Sequence, residues 1–194
     1  MYGVFNLNSN NLFTGIELPT LKGENNAKYY DSTHYAWTNS VMGGELVARP
    51  KSSGEFAFFS SKGSMIQIFS VNHESDMSVI YEKLYSLPTY EIVKHGNNTI
   101  GTKMLQDCRN GYNSIAVTHD KIYALYNGSS ATTSNTMNLL ANTILVYDWT
   151  GSPIEIIKLD HNFYSISIDS EKPEILYGLQ SFDSVGIYKY NLKK

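Results

Sequence analysis

Three groups of side chains in this 194-residue chain have the chemistry to hold a ligand. The segment from Thr20 to Gly44 gathers Tyr30, His34, Tyr35 and Trp37. Each ring offers a flat apolar face and a polar tip, so the cluster can stack on a sugar or grip a peptide. The same rings can cap or pack against a neighbouring element, and for any single ring that is the simpler use. Asp107, Arg109 and Asn110 form a second group, and Asp160, His161 and Asn162 a third. Oxygen and amide groups so placed can ring a hard cation or bind a carboxylate. Turn formation is again the plainer explanation, because Asp and Asn side chains bond their own backbone.

Signatures of a reaction are missing from the sequence. His34, His73, His95, His119 and His161 are dispersed, without the spacing of metal ligands. There is no H-E-x-x-H, G-x-S-x-G, P-loop or G-x-G-x-x-G. Cys108 is the single cysteine, which excludes an intramolecular disulfide and a cysteine-based zinc site. No catalytic residue, metal ligand or cofactor site is nominated, and no cofactor is expected. With 15 basic and 18 acidic side chains, the net charge of -3 provides no basic footprint for nucleic acid. No apolar run approaches the roughly 18 residues of a membrane span. Charged residues are 17% and apolar residues 42%, a balance that supplies a core rather than a disordered chain.

The elements that must position these groups repeat. Ser114-Ile115 matches Ser165-Ile166 at an offset of 51 residues. Ile122-Tyr123-Ala124-Leu125 matches Leu176-Tyr177-Gly178-Leu179, and Val146-Tyr147 matches Ile187-Tyr188. Four short antiparallel strands recurring every 40–50 residues or so are the mark of a propeller blade. The pattern predicts an all-β propeller in one partial domain. Residues 1–19 supply the last two strands of an incomplete blade, 45–90 and 112–160 a blade each, and 163–192 a blade lacking its outer strand. Strands are expected at Glu45–Ala48, Glu55–Phe59, Met65–Val71, Val79–Leu84 and Ile154–Leu159 among others, thirteen in all. The long connections, Thr20–Gly44, Glu91–Gly111 and Asn127–Asn142, are expected to leave from one face, here termed the top. Long loops in a compact domain are more often functional or disordered than idle.

The run Ile122–Gly128, then Ile144–Asp148 with Gly151 and Pro153, then Lys158-Leu159-Asp160, is similar to the TolB-like six-bladed β-propeller proteins of Bacteroidota. Ile168-Asp169, Ile175–Gly178 and Ile187–Tyr190 follow the same pattern. The resemblance implies a six-bladed ring, commonly in exported lipoproteins, with no established reaction and no catalytic residues to transfer. At a period near fifty the chain holds about three blades, which reads as the C-terminal part of a longer propeller. The compartment and oligomeric state stay open. The expected function is a non-catalytic binding or scaffolding module whose top-face loops take a peptide, glycan or protein. The alternative is a propeller-type hydrolase or lyase with a metal in the central channel.

Overall fold

The computed structural model describes residues 2–6, 11–16, 43–52, 54–72, 77–132, 139–181 and 185–192. Every named element among them is a strand. They run β1 (Tyr2–Asn6), β2 (Asn11–Ile16), β3 (Gly44–Ala48), β4 (Glu55–Ser60), β5 (Ser64–Val71), β6 (Met77–Ser86), β7 (Tyr90–His95) and β8 (Asn98–Met104). They continue as β9 (Tyr112–Val117), β10 (Lys121–Tyr126), β11 (Ala141–Asp148), β12 (Pro153–Phe163), β13 (Ser165–Ile168), β14 (Ile175–Ser181) and β15 (Val185–Asn191). β3–β6 and β9–β12 each form a four-stranded sheet in sequence order, and β13–β15 form a three-stranded one. Pairing is antiparallel throughout, and β1–β2 and β7–β8 are separate two-stranded sheets. The sequence-predicted all-β architecture of four-stranded antiparallel sheets is the one observed.

Strict alternation explains why β9–β11 lie between two neighbours. Ile115, Ile122, Ala124 and Tyr147 point into one core, shared with Ala57, Phe59, Ile66 and Ile68 of β4 and β5. Ala116, Tyr123, Leu125, Ile144 and Val146 point the opposite way, into a second core with Phe163, Ile166 and Leu176. Successive side chains on a strand face opposite sides, so a sheet covered on both faces needs a nearly continuous apolar run. The strands KIYALY and NTILVYD are such runs. The outer strands are wetter: β12 begins with four exposed residues, and in β15 exposed positions alternate with half-buried ones.

Short turns set the sheets close together. After β11, the Asp148 carboxylate accepts hydrogen bonds from the Thr150 and Ser152 backbone N–H groups at 2.8 and 3.0 Å. These bonds, with the Thr150 hydroxyl foremost, hold its pKa below the usual carboxylate value. Gly151 follows at φ 84°, and a Cβ there would come within 2.1 Å of the Tyr81 ring on β6. Only glycine meets both demands. The inner strands β3, β9 and β13 are stitched by side chains at corresponding positions. The Ile115 N–H donates to Glu45 Oε2 at 2.5 Å, and the Ile166 N–H donates to Ser114 Oγ at 3.3 Å. The matched serines Ser114 and Ser165 also meet, Oγ to Oγ, at 3.1 Å.

Two expectations are corrected. The segment 91–111, read as an irregular connection, contains most of the β7–β8 hairpin, so the described residues hold fifteen strands rather than thirteen. Gly96, at φ 59°, makes the turn between two strands rich in β-branched residues. The outer strand expected to stop at Leu159 runs on to Phe163, because Ala141 at the start of β11 offers it a partner.

Candidate functional site

Tyr30, His34, Tyr35 and Trp37 lie outside the described residues. The second group sits where two long connections meet. Between β8 and β9, the Cys108 carbonyl accepts from the Ala131 N–H at 2.8 Å, and Asn110 exchanges backbone bonds with Ser129 and Gly128 at 2.8 and 3.1 Å. Thus 108–111 and 127–131, distant in sequence, form one knot. The Asn110 amide is consumed inside it: Lys62 Nζ donates to its Oδ1, and its Nδ2 donates to Ser129 Oγ at 3.0 Å. Asn110 is buried, as a structural amide should be when its bonds are made. Asp107 is exposed and accepts from Thr89 Oγ1 at 2.6 Å, which closes the foot of the β7–β8 hairpin. Arg109 is exposed; its carbonyl accepts from the Gly63 N–H at 2.8 Å, and its backbone bridges to Ser130 in the knot.

The third group does not lie in a connection. Asp160, His161 and Asn162 fall within β12, and one residue, Tyr164, separates that strand from β13. Tyr190 of β15 donates to the Asp160 carboxylate, and His161 Nδ1 lies 2.8 Å from the same oxygen. These bonds, Tyr190 first, hold the Asp160 carboxyl below its ordinary pKa. The His161 ring stands 4.4 Å from the Tyr188 ring, centroid to centroid. Asn162 is exposed.

A further feature forms between two sheets and carries no motif in the sequence. Between the β3–β6 and β9–β12 sheets lies a cavity of about 370 Å³. Tyr112 and Tyr147 line it with Tyr126 and Leu145, while Tyr85, Pro153 and Ile156 also border it. Hydrogen bonds link the phenols in a chain from Tyr112 to Tyr147 to Tyr85 to Tyr81. Burial pushes the Tyr112 phenol up strongly. Burial also pushes Tyr147 up to about 12, with the Tyr112 bond opposing and Tyr85 and Tyr81 reinforcing. Tyr81 is raised as well, by burial first and then by its bond to Tyr85. A second hollow, about 310 Å³ and more polar, is bordered by Asp120, Lys121 and Glu174.

The TolB-like 6-blade propeller-like family matches residues 57–171, more than half the chain. The chain belongs to this family. No curated protein matches it. In this TolB-like propeller the four-stranded sheets are blades, and the tyrosine cavity lies between two of them. No group of three His, Cys, Asp or Glu side chains among the described residues could hold a metal ion. No helix among them is long and apolar enough to cross a membrane. The signal that could have found the cavity was the repeat itself. At the offset of 51 residues, Tyr112 stands where Phe163 recurs, so at this position one interface gains a hydroxyl that the next lacks.

Proposed function

We propose that this TolB-like propeller is a non-catalytic binding or scaffolding module that takes a peptide, glycan or protein at the edge where its long connections emerge. The observation that supports this reading is the knot of 108–111 with 127–131, from which the β7–β8 hairpin projects as a sheet of its own. A rigid base under a projecting segment is how loops on a β-scaffold are held for recognition. The hairpin foot is fixed by buried Pro88 and Tyr90, by the Leu105 N–H to Thr89 carbonyl bond at 3.0 Å, and by Cys108 Sγ against Met104 Sδ at 3.7 Å. Lys94 and His95 near its tip and Arg109 at its base are exposed. A six-bladed ring, an exported lipoprotein form and the engagement of 20–44 in the same face belong to this proposal.

The test is a pair of surface arrays, one of glycans and one of peptides, probed with the purified chain and with a Lys94→Glu/Arg109→Glu variant. Saturable binding on one array, lost about tenfold or more in the variant at an unchanged melting temperature, is the expected result. An absence of saturable binding on both arrays, or binding indifferent to the variant, overturns the reading.

A further inference from the structure

We propose that the cavity between the two four-stranded blades is a binding site for an uncharged aromatic ring bearing a hydroxyl group. Its volume of about 370 Å³ falls at the lower end of ligand pockets, which suits a small ring rather than an extended chain. Tyr112 and Tyr147, each 4% exposed, form the back wall, while Tyr85 and Ile156, 55% and 68% exposed, stand at the mouth. The site therefore combines a dry interior with an open entrance.

The repeat shows that this space is not simply what a blade interface leaves behind. The next interface carries the corresponding residues, with Phe163 for Tyr112, Tyr188 for Tyr147 and Gly178 for Ala124. There Phe163 is fully buried and its ring sits so close over Gly178 that a Cβ would lie 2.6 Å from it. His161 covers Tyr188 at 4.4 Å. The counterpart of His161 at the same offset is Asn110, whose side chain turns to Lys62 and Ser129 instead. No ring supplied by that position covers Tyr147, and the cavity lies at its side.

The walls select the ligand. A charged group would lose its hydration against Leu145, Pro153 and Ile156 and find no buried counter-charge, because the phenols remain neutral. Glu155 at the rim faces Lys121 at 3.6 Å, so it supplies little unbalanced charge. A sugar would bring more hydroxyls than the phenols can satisfy, and each unpaired one opposes binding. An aromatic ring can meet the tyrosine rings edge to face, and a single hydroxyl can join the chain that runs from Tyr112 to Tyr85. This site needs neither Lys94 nor Arg109, so it stands or falls separately from the hairpin.

Saturation-transfer NMR with p-cresol, methyl glucoside and phenyltrimethylammonium, each titrated against the folded chain, tests the inference. Saturable binding of p-cresol alone is expected, weakened about five- to tenfold by Tyr147→Phe, which removes one hydrogen bond and keeps the ring. Tyr85→Phe at the exposed mouth serves the same purpose if Tyr147→Phe does not fold. Tyr188→Phe, at the matched position of the filled interface, should leave the affinity unchanged. The proposal is overturned if p-cresol shows no saturation, if the sugar or the ammonium binds more tightly, or if affinity is unchanged in folded Tyr147→Phe and Tyr85→Phe.

Discussion

The two interfaces between neighbouring blades use the same register and end differently. In one, Phe163 meets Tyr188 and Tyr190 edge-on at 5.5 and 5.8 Å, and His161 closes the remaining side. In the other, Phe59 meets Tyr112 edge-on at 5.0 Å, yet a cavity of about 370 Å³ persists beside Tyr147. The blades have the same strand order and the same antiparallel pairing. They differ at matched positions: Phe163 and Gly178 stand for Tyr112 and Ala124, and His161 lies on a ring where Asn110 is drawn into the knot below the hairpin. A few residue changes at matched positions thus separate a packed interface from a hollow one, although protein interiors otherwise fill to crystal-like density.

The largest expected effect is at the filled interface. Phe163→Ala should destabilise the chain by about 3–5 kcal/mol, because a fully buried ring is lost and a void remains. Urea unfolding followed by fluorescence measures it, and a loss below about 1 kcal/mol would mean the two interfaces are equally loose. Gly178→Ala should cost roughly 1–3 kcal/mol by forcing the Phe163 ring aside. The same unfolding experiment shows whether that ring has room to move.

Exchanging the matched residues sharpens the comparison further. Phe163→Tyr should cost about 1–3 kcal/mol, since the added hydroxyl overfills a fully buried site. Tyr112→Phe should cost only about 0.5–1.5 kcal/mol, the net value of one bond to Tyr147. Equal costs for the two exchanges, in parallel denaturation curves, would remove the distinction between a dry and a hydroxyl-lined interface.

The smallest effects are in pH dependence, and the two sides should move in opposite directions. Desolvation raises the Glu45 carboxyl, which the Ile115 N–H only partly offsets. Its folded state binds the proton more readily, so its contribution is present in acid and lost as pH rises through the folded pKa. Asp160 is lowered by Tyr190 and then His161, so its contribution is present above the unfolded pKa and lost as pH falls through the folded one. Melting temperatures from pH 3 to 7 should show Glu45→Gln gaining on wild type toward neutrality. Asp160→Asn should lose most at neutrality and converge with wild type in acid. Parallel curves for both variants would contradict these assignments.

Much of the fold was legible because its causes are local. Alternation in KIYALY and NTILVYD, the glycine at 151 and the proline at 153 specify strands and a tight turn within a few residues of each other. The offset between Ser114 and Ser165 was visible as a repeat, and the structure adds that these hydroxyls touch across the blade boundary. The hairpin at 90–104 was also legible in principle, since Gly96 and Asn97 stand between β-branched residues, but its place in a long connection hid it. Of the candidate site residues, Asn110 and Asp160 could be named but not assigned partners. Lys62, Ser129 and Tyr190 lie 48, 19 and 30 positions away.

The sequence by itself determined an all-β chain of repeated antiparallel strands, because side-chain alternation and turn chemistry act over a few residues. It also determined that one interface carries Tyr112 where the next carries Phe163. Only the tertiary structure decided that Asn110 turns to Lys62 and Ser129 while a cavity lies beside Tyr147, that four phenols join in a chain, and that β12 takes in Asp160 and His161. Those outcomes depend on which distant groups complete a hydrogen bond or fill a gap, and such contacts leave no periodic trace along the chain.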